Sequence, residues 1–249
     1  MEVHHHPHVG PKQLKEYLLE GLMIFLAVSM GFIAENIRES ITKHEKEKVL
    51  IESLILNLKA DTAMLNTNIQ RNLRKNDLFD SLLNLANTDL NAPQNLYNFY
   101  TYFIKGTTMS LFLPSDAAMT QIKTDGGLNL ISKQGVLDSI LNYDKQNRVI
   151  ERHNSVYTEE SEGFWKTSYK LMEIRLLKDT SFVDYFNGRV MKNKIPPPLV
   201  NSPQDLKIFF GSLTRILLLT QVNRNHMITQ RDQAIRLMKF LTAAYQLEH

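Results

Sequence analysis

One stretch near the start of the chain constrains its fold more than any other. Residues 21–34 read Gly-Leu-Met-Ile-Phe-Leu-Ala-Val-Ser-Met-Gly-Phe-Ile-Ala, fourteen positions without a charge. As a helix that run is about 21 Å long, less than the ~30 Å hydrocarbon core of a bilayer. Widened to 17–37 it has twenty-one residues and reaches about 31 Å, enough to span. The wider segment includes Glu20 and Glu35. Tyr17 suits the headgroup region, with Lys12 and Lys15 on the near side and Glu35 at the far edge. Glu20 lies nearly one turn inside and has to be protonated or paired there. Two other readings stand beside an uncleaved span: a buried helix of a soluble protein, and the apolar core of a signal peptide. Against cleavage, the run passes directly into Glu35-Asn36-Ile37-Arg38-Glu39 with no small-x-small site before the charges.

Within this segment Glu20, Ala27, Gly31 and Ala34 are spaced by seven, four and three. That spacing puts them on one helical stripe. Ala27 and Gly31 form a small-x-x-x-small pair, which lets helix backbones approach closely in lipid. A carboxyl on the same stripe gains shelter if the stripe is covered. The expected reading is a membrane-helix interface built from Glu20, Ala27, Gly31 and Ala34 in a homo-oligomer or a larger membrane complex. The bland alternative is chance, because small residues are common in spans.

The remainder reads as helix. No Gly or Pro occurs between Ala34 and Pro93, so the first helix is expected to continue through residues 40–85. Its apolar ridge is Leu50, Leu54, Leu58, Leu65, Ile69 and Leu73, mostly four apart. Asp89-Leu90-Asn91-Ala92-Pro93 ends it. A shorter helix carries Leu96, Phe99, Tyr100, Phe103 and Ile104 on one side. Ser115-Asp116 is expected to cap a brief helix ending at Gly126-Gly127. Ser132 is the expected cap of a long helix reaching about Lys178, bent at Gly163, that buries Val136, Ile140, Tyr143, Val149 and Trp165. Residues 192–203, with three consecutive prolines, are a loop. Ser202-Pro203-Gln204-Asp205 starts the final helix. The apolar run 208–222 contains Arg215 and Gly211 and reads as a core helix rather than a second span.

Composition narrows the chemistry. The 249 residues include 43% hydrophobic and 22% charged side chains, which excludes bulk disorder. Cys 0 removes disulfides, zinc-thiolate sites and a Cys nucleophile. A formal charge of +3 is too balanced to imply nucleic acid. There is no His-Glu-x-x-His, no G-x-S-x-G, no phosphate loop and no dinucleotide fingerprint. The residues three before His44, His153 and His226 are Ile41, Ile150 and Asn223, so the Glu-x-x-His pairs of a di-iron bundle are missing. Glu159, Glu160 and Glu162 read as a solvated helix face, as do Lys145, Arg148 and Arg152. One metal-like group is present: His4, His5, His6 and His8 around Pro7. Neutral imidazoles suit a divalent metal, and a polar interfacial tail or a tag-like sequence explains the same cluster.

Several of these segments carry a resemblance. Met1-Glu2-Val3-His4-His5-His6-Pro7-His8, Lys15-Glu16-Tyr17, the run from Gly21 to Val28 and Ala34-Glu35-Asn36-Ile37-Arg38-Glu39 form its first part. Ile51-Glu52-Ser53-Leu54 and Leu58-Lys59-Ala60-Asp61-Thr62 extend it. Together they resemble a family of uncharacterised single-span membrane proteins of Gram-negative bacteria. The likeness covers roughly the first sixty residues, and Gly126-Gly127-Leu128-Asn129-Leu130-Ile131-Ser132 is similar to a motif of a wider set of such domains. The resemblance implies a native His cluster and an uncleaved anchor, and it brings no activity with it.

The expected fold is all-α, one N-terminal transmembrane helix continuing into an elongated antiparallel helical bundle. The expected parts are a His-rich tail 1–16, a transmembrane helix 17–37 and a bundle domain 38–249. The expected role is a non-enzymatic scaffold, sensor or accessory subunit acting by protein–protein contact. The alternatives are an ion or proton pathway through Glu20 and a metal sensor using the His cluster. No cofactor is expected beyond a divalent metal at that cluster. The expected partners are the lipid bilayer and further copies or subunits, with no nucleic acid. A strict Lys and Arg count favours a cytoplasmic C-terminal side. A start-proximal anchor commonly exports the domain attached to it, so the expected location is the bacterial inner membrane with the C-terminal domain periplasmic.

Overall fold

The computed structural model describes residues 14–124, 126–173, 197–200 and 202–247. Every regular element among them is helical. In chain order these are α1 (Leu14–Asn84), a 3-10 turn (Leu85–Asn87), α2 (Pro93–Gly106) and α3 (Ala117–Lys123). They are followed by α4 (Gly127–Leu130), α5 (Gln134–Ser168) and α6 (Pro203–Tyr245). The chain divides into two units, Met1–Leu50 and Ile51–His249, and α1 contributes to both.

In the first unit the described residues form the N-terminal part of α1. Residues 14–46 are exposed, apart from half-buried Ser29. At Arg38 the guanidinium donates to both carboxylate oxygens of Glu35, at 3.0 and 2.5 Å, a forked pair one turn apart.

The second unit holds the core. Along α1, Leu54, Leu58, Leu65 and Ile69 are buried as the ridge predicts, but Leu73 is 38% exposed. Four residues advance a helix by about 400°, so a ridge stepping only by four drifts about 40° each time. The buried seam corrects that drift by alternating steps of three and four, through Asn72 and Asn76 to Phe79. Leu73 falls off it.

The seam ends in an aromatic cluster. Phe164 and Phe209 have ring centroids 5.1 Å apart, Phe99 and Phe209 5.2 Å, and Phe103 and Phe164 5.5 Å. Each such pair contributes about 0.5–1.5 kcal/mol beyond its buried area. Phe164, rather than the expected Trp165, is the fully buried ring of α5; Trp165 is half-buried, edge-on to Phe103 at 4.9 Å. Ile150 likewise takes the buried place expected for Val149.

Helix boundaries follow local chemistry with two exceptions. Ser202 Oγ accepts from Asp205 N at 3.2 Å and Pro203 opens α6, as read from sequence. Asp116 occupies the N-cap of α3, yet its side chain makes no cap bond. Instead α1 holds that turn: Asp61 Oδ1 accepts from Ser115 N at 2.7 Å and Asn57 Oδ1 from Ala118 N at 3.0 Å. Ser132 is not the cap of α5 either; Lys133 sits there, and its ammonium donates to Ala244 O at the far end of α6. Helix α5 passes through Gly163 and closes at Ser168. There Thr167 and Ser168 hydroxyls bond back to the carbonyls of Phe164 and Trp165, at 2.8 and 2.7 Å, which competes with further helix. Lys178 lies outside the described residues.

Pairing between elements has a definite sense. Lys133, Asn147, Asn154 and Glu160 of the α5 region meet Ala244, Gln230, Asn223 and Arg215, so α5 and α6 run antiparallel. Asp61 and Lys75 of α1 meet Tyr143 and Tyr157, so α1 and α5 run the same way. The returning segment makes that possible: Leu111, Ser115 and Ala118 meet Asn68, Asp61 and Asn57, descending along α1.

Candidate functional site

The apolar part of α1 is long and apolar enough to cross a membrane, and none of its most apolar window is buried. Leu22, Phe25, Val28, Met30, Phe32 and Ile33 are all exposed. Each large apolar side chain left in water forgoes about 1.5–3 kcal/mol, and contiguous patches of this extent mark a membrane or a partner. Among the described residues no other helix meets that test; the run 208–222 lies in α6, where Phe209, Leu213, Ile216 and Leu217 are buried and Arg215 pairs with Glu160 at 2.5 Å.

Glu20, Ala27, Gly31 and Ala34 are all exposed on α1. At 100° per residue they fall within about 60° of one another. A methyl group placed on Gly31 would meet nothing within 4 Å, so the chain itself does not fill that face. His4, His5, His6 and His8 lie outside the described residues. Among the described residues no group of three or more His, Asp or Glu is arranged to hold a metal.

A second feature is a polar seam inside the 51–249 unit. Asp61 is 1% exposed. Its two oxygens accept from Ser115 N at 2.7 Å and from Tyr143 Oη at 2.8 Å. Burial pushes its carboxyl up, opposed by those two hydrogen bonds. Burial first, and then the Asp61 charge, pushes the Tyr143 phenol up, which keeps it a neutral donor. Gln230 donates to Asn147 Oδ1 and to Tyr143 O, tying α6 to α5 at the same level. Further along, Asn154 donates to Phe112 O at 2.8 Å and Asn68 to Leu111 O at 2.9 Å. Lys75 donates to Tyr157 Oη at 2.9 Å.

Two charged patches are more structured than a solvated face. Buried Asp144 pairs with Lys123 at 2.5 Å and Arg148 at 2.9 Å, while Lys145 and Arg152 stay exposed. Glu160 pairs with Arg215, while Glu159 and Glu162 are exposed. The His153 and His226 rings lie 4.3 Å apart, and burial together with His153 lowers His226.

Sequence reasoning missed the polar seam because it scored apolar periodicity alone. The signal was present: Asp61, Asn68, Asn72 and Asn76 recur at the spacings of the apolar ridge itself. Asp61, Asn68 and Asn72 hydrogen-bond to other elements and so fix which residues face each other, while Asn76 Oδ1 is buried without a hydrogen-bond partner among the described residues. No family model, no curated protein and no solved structure matches this chain.

Proposed function

We propose that this chain is a single-span membrane protein whose helical domain acts by protein–protein interaction, as a scaffold, sensor or accessory subunit, without catalysis. The observation that carries the reading is the uncovered apolar stretch of α1, in contrast to the 51–249 unit, which buries an apolar core. The domain is an elongated bundle, and the polar seam gives it the rigid register that a binding surface needs. The resemblance of the N-terminal segments supports placement in the inner membrane of a Gram-negative bacterium, with the domain on the periplasmic side. The test is affinity purification of the full chain from native membranes. A stoichiometric protein partner that survives stringent washing is the expected result; recovery of the chain alone, as a monomer, contradicts the reading.

A second reading uses Glu20, which shares its face with Ala27, Gly31 and Ala34. In that reading the carboxyl carries protons or ions through an assembled complex. Glu20→Gln then leaves assembly intact and abolishes the function, whereas a purely structural carboxyl gives no such separation.

A further inference from the structure

Four cations of the 51–249 unit line one cleft without an acid among them. Arg74 and Lys75 lie three and four residues after Arg71 along α1, and Lys105 comes from the last turn of α2. With Ser110 and Thr108 they border a cleft of about 490 Å³ whose lining contains no Asp or Glu. Among the described residues no carboxylate lies within ion-pairing distance of any of the four. At two other charged sites of the unit, Asp144 and Glu160 each pair with cations beside them.

Lys75 makes the cleft more than a basic surface. It is 2% exposed. Its ammonium has three N–H donors, and among the described residues its hydrogen-bond acceptor is the Tyr157 hydroxyl, at 2.9 Å. The Tyr157 ring lies beneath it, 5.0 Å from Nζ to centroid. A buried cation is expensive unless an anion and further acceptors answer it. Ser110, also buried, adds a hydroxyl with no hydrogen-bond partner among the described residues. Arg71 and Arg74 stay exposed, with planar guanidinium forks whose donors match the oxygens of a phosphate.

We propose that this cleft binds a small phosphate-bearing anion, held at its buried end by Lys75 and Ser110 and at its rim by Arg71, Arg74 and Lys105. The chemistry has two sources, a free phosphorylated solute and the headgroup of an anionic phospholipid. The inference does not rest on the interaction role proposed above.

The test is isothermal titration of the full chain in a neutral maltoside detergent. The probes are pyrophosphate and, separately, dioctanoyl phosphatidylglycerol, with dioctanoyl phosphatidylcholine as the uncharged control. One equivalent of pyrophosphate binding identifies a free solute. Binding of the glycerol lipid above the choline lipid, without pyrophosphate binding, identifies a headgroup. In either case the Arg71→Gln/Arg74→Gln double variant, whose changes are on the surface, weakens binding at least tenfold. Lys75→Met weakens it at least as much while circular dichroism stays unchanged. Lys239→Gln, a remote surface cation, leaves binding as it was. The proposal is overturned if neither probe binds above the control, or if Lys239→Gln weakens binding as much as the Arg71/Arg74 pair does.

Discussion

At Gly126 the backbone turns to φ +73°, and the next residue is packed so closely that a side chain has no room. A methyl on Gly127 would reach 2.7 Å from Ile122 Cα and closer still to Gln121 O, both backbone atoms. Gly126→Ala is expected to cost about 1–2 kcal/mol for the left-handed conformation. Gly127→Ala costs as much or more, about 1–3 kcal/mol, because backbone cannot move aside as a side chain can. Denaturant midpoints of the two variants check this; an unchanged midpoint for Gly127→Ala contradicts the packing. The Gly-Gly pair was legible as a helix end, but the reason for its second member was not, since close approach to the preceding helix has no sequence pattern. Asp61 belongs to the same scale. Asp61→Ala leaves Ser115 N and Tyr143 Oη unpaired, about 1–3 kcal/mol for each, whereas Asp61→Asn keeps an acceptor and costs less. Because burial raises the folded carboxyl above its ordinary value near 3.8, the folded chain takes up the proton first. Its contribution is complete below that value and is lost as pH rises through the folded value. Wild type therefore gains stability relative to Asp61→Asn as pH falls from neutrality toward 4, a difference read by thermal unfolding across that range.

Elements were easier to read than the contacts between them. Helix starts and stops with local chemistry were legible: the break at residues 89–93 before α2, and Ser202 with Pro203 opening α6. The start of α3 fell at Asp116 as read, but the groups that hold it come from elsewhere in the chain, and α5 starts one residue later than the Ser132 cap implied. Asn57 and Asp61 are more than fifty residues from the turn they support. The same limit hid the seam: Asn72 and Asn76 look like surface residues until α6 and the 111–118 return lie over α1. The α5–α6 pair carries a pH dependence of its own. Burial and neighbouring His153 hold His226 below its ordinary value of 6.5. That contribution is present above 6.5 and is lost as pH falls through the folded value. Acidification from pH 7 toward 5 is therefore expected to lower amide protection factors, taken relative to the intrinsic exchange rate at each pH, in residues around His226, and His226→Gln flattens the response. Equal pH dependence in wild type and variant contradicts this contact.

For the whole molecule, a helix long and apolar enough to cross a membrane was legible because bilayer thickness demands a minimum apolar length, a property of one segment alone. What covers the anchor is not written in the same way. Gly31 offers a flat face, and Gly31→Ile is expected to lower the oligomeric mass of the full chain in detergent. A wild type that is already monomeric would reduce the Ala27/Gly31 spacing to coincidence. The most direct measurement is alkaline carbonate extraction of membranes from cells carrying the untagged chain, followed by intact-mass analysis of both fractions. An uncleaved anchor predicts the full 249-residue chain in the membrane pellet, released by detergent and not by carbonate. Intact full-length chain in the soluble fraction, or a shorter soluble chain lacking residues 1–34, contradicts it.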